Sequence, residues 1–132
     1  MSQTAVGSCL CGGVRYEVSE PVRTVSHCHC SMCRKAHGAA FGTYAAVPRA
    51  AHVIVTGADL LSEYRSSPQV TRVFCRVCGS PLFWRSQGDA AEWAVFSLAT
   101  LDTPVIPVRQ KHIHVASRAP WFEICDTWPQ RP

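Results

Sequence analysis

Seven of the eight cysteines in this 132-residue chain fall into three tight groups: CLC at 9–11, CHCSMC at 28–33 and CRVC at 75–78, with only Cys125 alone. Disulfide frameworks usually spread their cysteines, whereas metal sites pair them, because two thiolates a few residues apart can grip one ion. The opening segment, MSQTAVGSCLCGG, has neither a basic start nor an apolar run of signal-peptide type. The expected setting is therefore a reducing cytoplasm, in which thiols stay free for metal. Spacing and setting together favour zinc over disulfides.

The division of the cysteines carries further information. Cys75 and Cys78 flank a tight turn relieved by Gly79, the pattern of a zinc knuckle. Cys9 and Cys11, at i and i+2 of an extended chain, point the same way and supply the other half of a closed four-thiolate site. Such a site staples the N-terminus to the middle of the chain and contributes directly to folding. Pairing Cys28 and Cys30 with the knuckle instead would strand Cys33 and leave Cys9 and Cys11 without partners. The economical division is four plus three, or two zinc ions per chain. The second site, on Cys28, Cys30 and Cys33, has a fourth position to be filled by histidine, water or substrate. His27 and His29 alternate with the ligands and face away from them in an extended chain. His37, one helical turn after Cys33, is the better closing ligand. An open site is nevertheless expected, because the first site already supplies the staple.

The surroundings of the three thiolates suggest reactivity. Cys33 falls in the first turn of an expected helix, where backbone N–H groups stabilise a thiolate. Arg34 and Lys35 follow and could hold a carboxylate of an incoming ligand. Three thiolates over-neutralise zinc and make it a weak generator of hydroxide, but a soft thiol suits the fourth position. Water-activating zinc deaminases carry a glutamate two residues from the first ligand and a P-C-x-x-C knuckle. This chain reads C-H-C and F-C-R-V-C at those places, so deamination is not supported.

Short β-prone runs separated by turn residues dominate the chain: GVRYEV, TVSHC, FGTYAAV, HVIVTG, VTRVFC, PLFWR, EWAVFSL and HIHVAS. They predict a mainly β fold of curled antiparallel sheets, with one short helix near 31–38, capped by Ser31 and stopped by Gly38. Nine prolines, several of them late, predict loops and short strands in the C-terminal quarter. A hydrophobic fraction of 47% and a charged fraction of 17% fit one globular domain over 1–132. No apolar run approaches the roughly 20 residues of a membrane span. The net charge of +4 comes from basic residues scattered singly, which reads as a solvated surface and makes a nucleic-acid partner an unfavoured reading.

The segments GSCLCGGVRYEV, CHCSMCRKAHG, FCRVCGSPLFW and HIHVASRAPW occur in the order and spacing of the glutathione-dependent formaldehyde-activating enzyme family, which includes centromere protein V-like proteins. The resemblance covers about nine-tenths of the chain, with a motif-bearing core of about 5–125. It implies a zinc-stapled β-tent fold, with structural zinc on Cys9, Cys11, Cys75 and Cys78 and catalytic zinc on Cys28, Cys30 and Cys33. It also implies a carbon–sulfur lyase-type reaction joining glutathione and formaldehyde into S-hydroxymethylglutathione, or the reverse. The partners would be a small thiol such as glutathione and an aldehyde. Leu10 stands where family members often have histidine. The alternative is a non-catalytic zinc-stabilised module that binds a protein or nucleic acid.

Outside these motifs the expectations are structural. His112 and His114 are assigned to one face of a strand, the tryptophans Trp84, Trp93, Trp121 and Trp128 to packing, and Cys125 to a buried inert thiol. Glu17, Glu63 and Glu92 are isolated carboxylates, none of them a convincing general base.

Overall fold

A computed structural model describes residues 4–87 and 92–132. Among these residues, ten strands form two sheets. Strands β1 (Ala5–Ser8), β2 (Arg15–Val18) and β5 (His52–Thr56) make a small antiparallel sheet in the order β1-β2-β5. The larger sheet contains β3 (Thr24–Cys28), β4 (Gly42–Pro48), β6 (Leu61–Ser67), β7 (Val70–Cys75), β8 (Pro81–Ser86), β9 (Trp93–Ser97) and β10 (Arg109–Ile113), in the order β10-β3-β4-β9-β8-β7-β6. The expectation of a mainly β fold with one short helix is met.

Alternation builds the core. In β2, Tyr16 and Val18 are buried while Arg15 and Glu17 face solvent. Val25 of β3, Ala45 and Val47 of β4 and Phe96 of β9 point the same way, towards Tyr16, Val18 and Ala5 of the small sheet. The largest core lies between the two sheets, with the Tyr16 and Phe96 rings 5.7 Å apart, edge to face. The Tyr16 hydroxyl is satisfied there by Thr100 at 2.7 Å.

Helix α1 (Ser31–His37) follows β3 directly. Its cap is Cys30, not Ser31: the Cys30 sulfur accepts the Cys33 N–H at 3.3 Å. Gly38 ends the helix with φ +59°, as expected of a left-handed C-terminal glycine.

Three strand expectations are revised. β10 pairs with β3 in parallel, so the large sheet is mixed. Some eighty residues separate the two strands, more than the long connection a parallel pair requires. β10 covers RQKHI and not HIHVAS, because His114 adopts φ +54° and turns the chain into a short 3-10 helix. His112 and His114 therefore do not share a strand face. Strands β1 and β6 carried no clear signal; β6, LSEYRSS, is a largely polar edge strand. Past residue 117 the chain is loop, and it returns to β10: Pro129 accepts from His112 N–H at 2.8 Å, and Arg131 N–H donates back to His112 at 2.9 Å. No described helix is long and apolar enough to cross a membrane.

Candidate metal centres

The four-thiolate group is assembled by two loops. After β1, the Cys9 carbonyl accepts from Gly12 N–H at 2.9 Å and the Cys9 sulfur accepts from Val14 N–H at 3.3 Å, folding 9–13 into a compact turn. After β7, Gly79 N–H closes on the Cys75 carbonyl at 2.7 Å, and Gly79 takes φ +79°. Ser80 joins the two turns, its hydroxyl accepting from Leu10 N–H at 2.9 Å and lying 3.3 Å from the Cys78 sulfur. The sulfurs of Cys9, Cys11, Cys75 and Cys78 all lie within 4.8 Å of one another. The Cys9–Cys11 separation is 3.5 Å and the Cys11–Cys75 separation 3.8 Å. A tetrahedral ion with Zn–S bonds of about 2.3 Å needs S···S edges of about 3.8 Å, so this donor set fits zinc. Ser80 hydrogen bonds hold the Cys78 thiol down to about 5, in the thiolate range.

Cys28, Cys30 and Cys33 also lie within 4.8 Å of one another. Three local rules bring them together. Cys28 ends β3 on the face it shares with Ser26, Cys30 caps α1, and Cys33 enters the first helical turn. The rings of His27 and His29 point to the opposite face. His27 bonds Thr43 at 2.9 Å and Gln110 at 2.8 Å, and His29 bonds His112 at 2.7 Å. His37 turns its Nε2 to the Tyr44 hydroxyl at 2.7 Å. Among the described residues, the cluster is three sulfurs with no histidine.

Two residues that the sequence reading did not single out complete its surroundings. Tyr44 donates to the Cys33 sulfur at 3.6 Å. Arg72 donates to the Tyr44 hydroxyl at 3.2 Å and approaches the Cys33 sulfur at 3.8 Å. β7 lies three strand steps from β4, roughly 14 Å across a flat sheet at about 4.8 Å per step. Two long side chains converging over Trp84 and Val95 close that distance. A hydrogen bond from Cys28, with further donors in Tyr44 and Arg72, holds the Cys33 thiol down to about 4, while the same pairing pushes Cys28 up. Burial pushes Tyr44 up, so its hydroxyl remains a donor.

The three sulfurs line a cavity of about 450 Å³. Tyr44, Trp84, Val95, Ile113 and His114 are among the residues of its wall, and its cations are Arg72 and Lys111. Neither Arg34 nor Lys35 lines it, and Lys35 is exposed. Among the described residues, neither Arg72 nor Lys111 has an ion-pair partner. Cys125 is exposed, not buried, and its sulfur faces the Glu123 carbonyl at 3.7 Å.

A mixed-sheet β domain with one four-cysteine and one three-cysteine cluster, each able to hold a metal ion, defines a class of thiol-rich β proteins. A family model described as "Glutathione-dependent formaldehyde-activating enzyme" matches residues 4–117, and the chain belongs to that family. A Halomonas elongata protein is 30% identical over 126 residues, covering 89% of this chain and 79% of the relative. A Penicillium rubens protein is 34% identical over 84 residues, 61% of this chain and 44% of the relative. Both bear the name "Putative glutathione-dependent formaldehyde-activating enzyme". The crystal structure of a Rhodobacter sphaeroides protein superposes with a TM-score of 0.63 at 27% identity, covering 75% of this chain and 89% of that one.

Proposed function

We propose that this chain, working as one domain with its motif-bearing core at about 5–125, is a zinc-dependent carbon–sulfur lyase-type enzyme. It would form or break a thiol–aldehyde adduct, with glutathione and formaldehyde as the reference pair. The observation that carries this reading is that three cysteine sulfurs, with no histidine in the cluster, open onto a cavity whose wall includes Arg72 and Lys111. Cys9, Cys11, Cys75 and Cys78 are assigned to structural zinc, and Cys28, Cys30 and Cys33 to catalytic zinc.

A zinc ion on three thiolates supplies a soft Lewis-acidic position that suits a thiolate better than hydroxide. In the forward direction the substrate's S–H bond breaks, its sulfur attacks the aldehyde carbon, and the carbonyl electron pair moves to oxygen. The proton ends on that oxygen, giving the hydroxymethyl thioether. The chain's own residues orient and stabilise. Arg72 and Tyr44 present N–H and O–H donors beside Cys33, where the developing alkoxide needs them. Arg72 and Lys111 are assigned to the carboxylates of the thiol, in place of the Arg34 and Lys35 expected from sequence, because they line the cavity. Trp84, Val95 and Ile113 keep the reacting centre dry.

Loading the protein with Co²⁺ and titrating glutathione tests the reading. A shift in the cobalt–thiolate spectrum together with faster exchange between glutathione and its hydroxymethyl adduct by NMR is the expected result. An unchanged spectrum with glutathione and with simpler thiols, and no accelerated exchange, overturns it.

A further inference from the structure

The face of β3 opposite the three cysteines holds a buried polar chain that the proposed reaction does not use. His29, between Cys28 and Cys30, is fully buried and bonds through Nε2 to His112 Nδ1 at 2.7 Å. His112, also buried, bonds through Nε2 to the Asp126 carboxylate at 2.8 Å. The other Asp126 oxygen accepts from Trp128 N–H at 3.0 Å. Trp128 in turn stacks on His27 with ring centroids 5.3 Å apart and planes 8° apart. The backbone of 129–131 zips onto His112, and Phe122 packs 6.1 Å from the His29 ring. In neutral tautomers the order is fixed. Asp126 accepts from His112 Nε2–H, so His112 Nδ1 is an acceptor and His29 Nε2–H donates to it. His29 Nδ1 is then a lone-pair acceptor, in keeping with its having no partner among the described residues. Asp126, Trp128 and Phe122 all lie past residue 117, beyond the stretch that the family model matches.

We infer that the C-terminal strap is a positioning device for the three-thiolate site, acting through the chain Asp126–His112–His29. The His29 backbone links two of the three ligands, and its own N–H is pinned to the Ile113 carbonyl at 3.0 Å. Fixing the ring from the far side of the sheet fixes the peptide planes on both sides of His29. That sets where the Cys28 and Cys30 sulfurs stand relative to Cys33. Groups that orient ligands from outside the first shell change metal affinity by about 10–100-fold when removed.

The test uses full-length protein loaded with Co²⁺, with metal release followed against a chelator. Cys30→Ser, which retains only the four-thiolate site, identifies the two release phases. Asp126→Ala should weaken the three-thiolate phase by about 10–100-fold and alter its ligand-field bands, leaving the four-thiolate phase unchanged. Asp126→Asn, which keeps one acceptor, should fall between. His29→Phe preserves packing on Phe41 and Phe122 and carries the test should Asp126→Ala fold poorly. It should match the loss seen in Asp126→Ala, and the double variant should lose no more than either single. Parallel weakening of both phases, weakening of neither, or full additivity in the double variant overturns the inference. Its failure leaves the proposed reaction untouched, since glutathione's effect on the cobalt spectrum is read separately.

Discussion

Two serine substitutions test the proposed division into a structural and a catalytic metal centre. Cys75 is fully buried among Cys9, Val14 and Leu82. Cys75→Ser removes one of four ligands and leaves a hydroxyl in an apolar site, which alone costs about 1–3 kcal/mol. Structural zinc contributes on the order of 10–16 kcal/mol of apparent binding free energy in small zinc modules. That equals or exceeds the roughly 5–15 kcal/mol stability of a whole domain. Cys75→Ser should therefore lose its cooperative thermal transition. Cys30 is half-buried and caps α1 by accepting from Cys33 N–H. Serine is a preferred N-cap, so Cys30→Ser keeps that bond and should cost under about 1 kcal/mol apart from metal. With one equivalent of zinc, its melting temperature should lie within about 4 °C of wild type. A second equivalent should stabilise wild type and leave the variant unchanged. The assays are differential scanning calorimetry and zinc content by mass spectrometry. Refutation would be Cys30→Ser unfolding as completely as Cys75→Ser: the three-thiolate group would then be a second staple, and a non-catalytic binding module would replace the enzyme reading.

Arg72→Gln removes the cation beside Cys33 and should weaken glutathione's effect on the cobalt spectrum about tenfold or more, the size of a charge-assisted hydrogen bond. Cysteamine, which lacks a carboxylate, should be affected less. Gly57→Ala forces a side chain into the left-handed region at φ +83° and against the Gly13 backbone, so the melting temperature should drop with a loss of about 2 kcal/mol or more. The same change should loosen metal at the Cys9–Cys11 turn. His52 packs on Phe96 and Tyr16, and burial lowers its pKa below the ordinary value of about 6.5. The neutral ring is favoured when folded, so its contribution is complete above about pH 6.5 and is lost as pH falls through the folded value. His52→Phe should gain on wild type below pH 6.5, by at most about 1.4 kcal/mol per pH unit in urea titrations. An equal pH slope in the two proteins counts against a neutral, half-buried His52.

The cysteine groups were legible because each tight pair or triplet depends on local spacing. Two thiols around a turn, or at i and i+2, meet wherever the turn is placed. The helix was legible for a similar reason, although its cap moved from Ser31 to Cys30 because a ligand sulfur took the capping role. Arg72 and Tyr44 were not legible. Each looked like an ordinary strand residue, and only the order β4-β9-β8-β7 brings them together over Cys33. Arg34 and Lys35 do not line the cavity, because sequence adjacency to a cysteine says nothing about which side of a helix faces it. β10 was misread at its end because nothing in HIHV announces that His114 will turn left-handed.

The alternation of HCHC follows from the position of β3 in the fold. β3 lies between β10 and β4, so both of its edges are paired and its side chains alternate between the two faces of the sheet. One face carries Ser26 and Cys28 to the cavity, with Cys30 just beyond the strand. The other carries Val25 to the main core and His27 and His29 to a second, polar layer closed by Phe41, Phe122 and Trp128. An apolar residue at 27 or 29 could fill that layer, but it could not bond to the side chains of β10, which arrives some eighty residues later. Histidine offers a ring that packs on aromatics and nitrogens that bond to Thr43, Gln110 and His112. Of the two histidines that look like surplus ligands in the sequence, His29 is thus the one placed to hold the Cys28–Cys30 segment from behind.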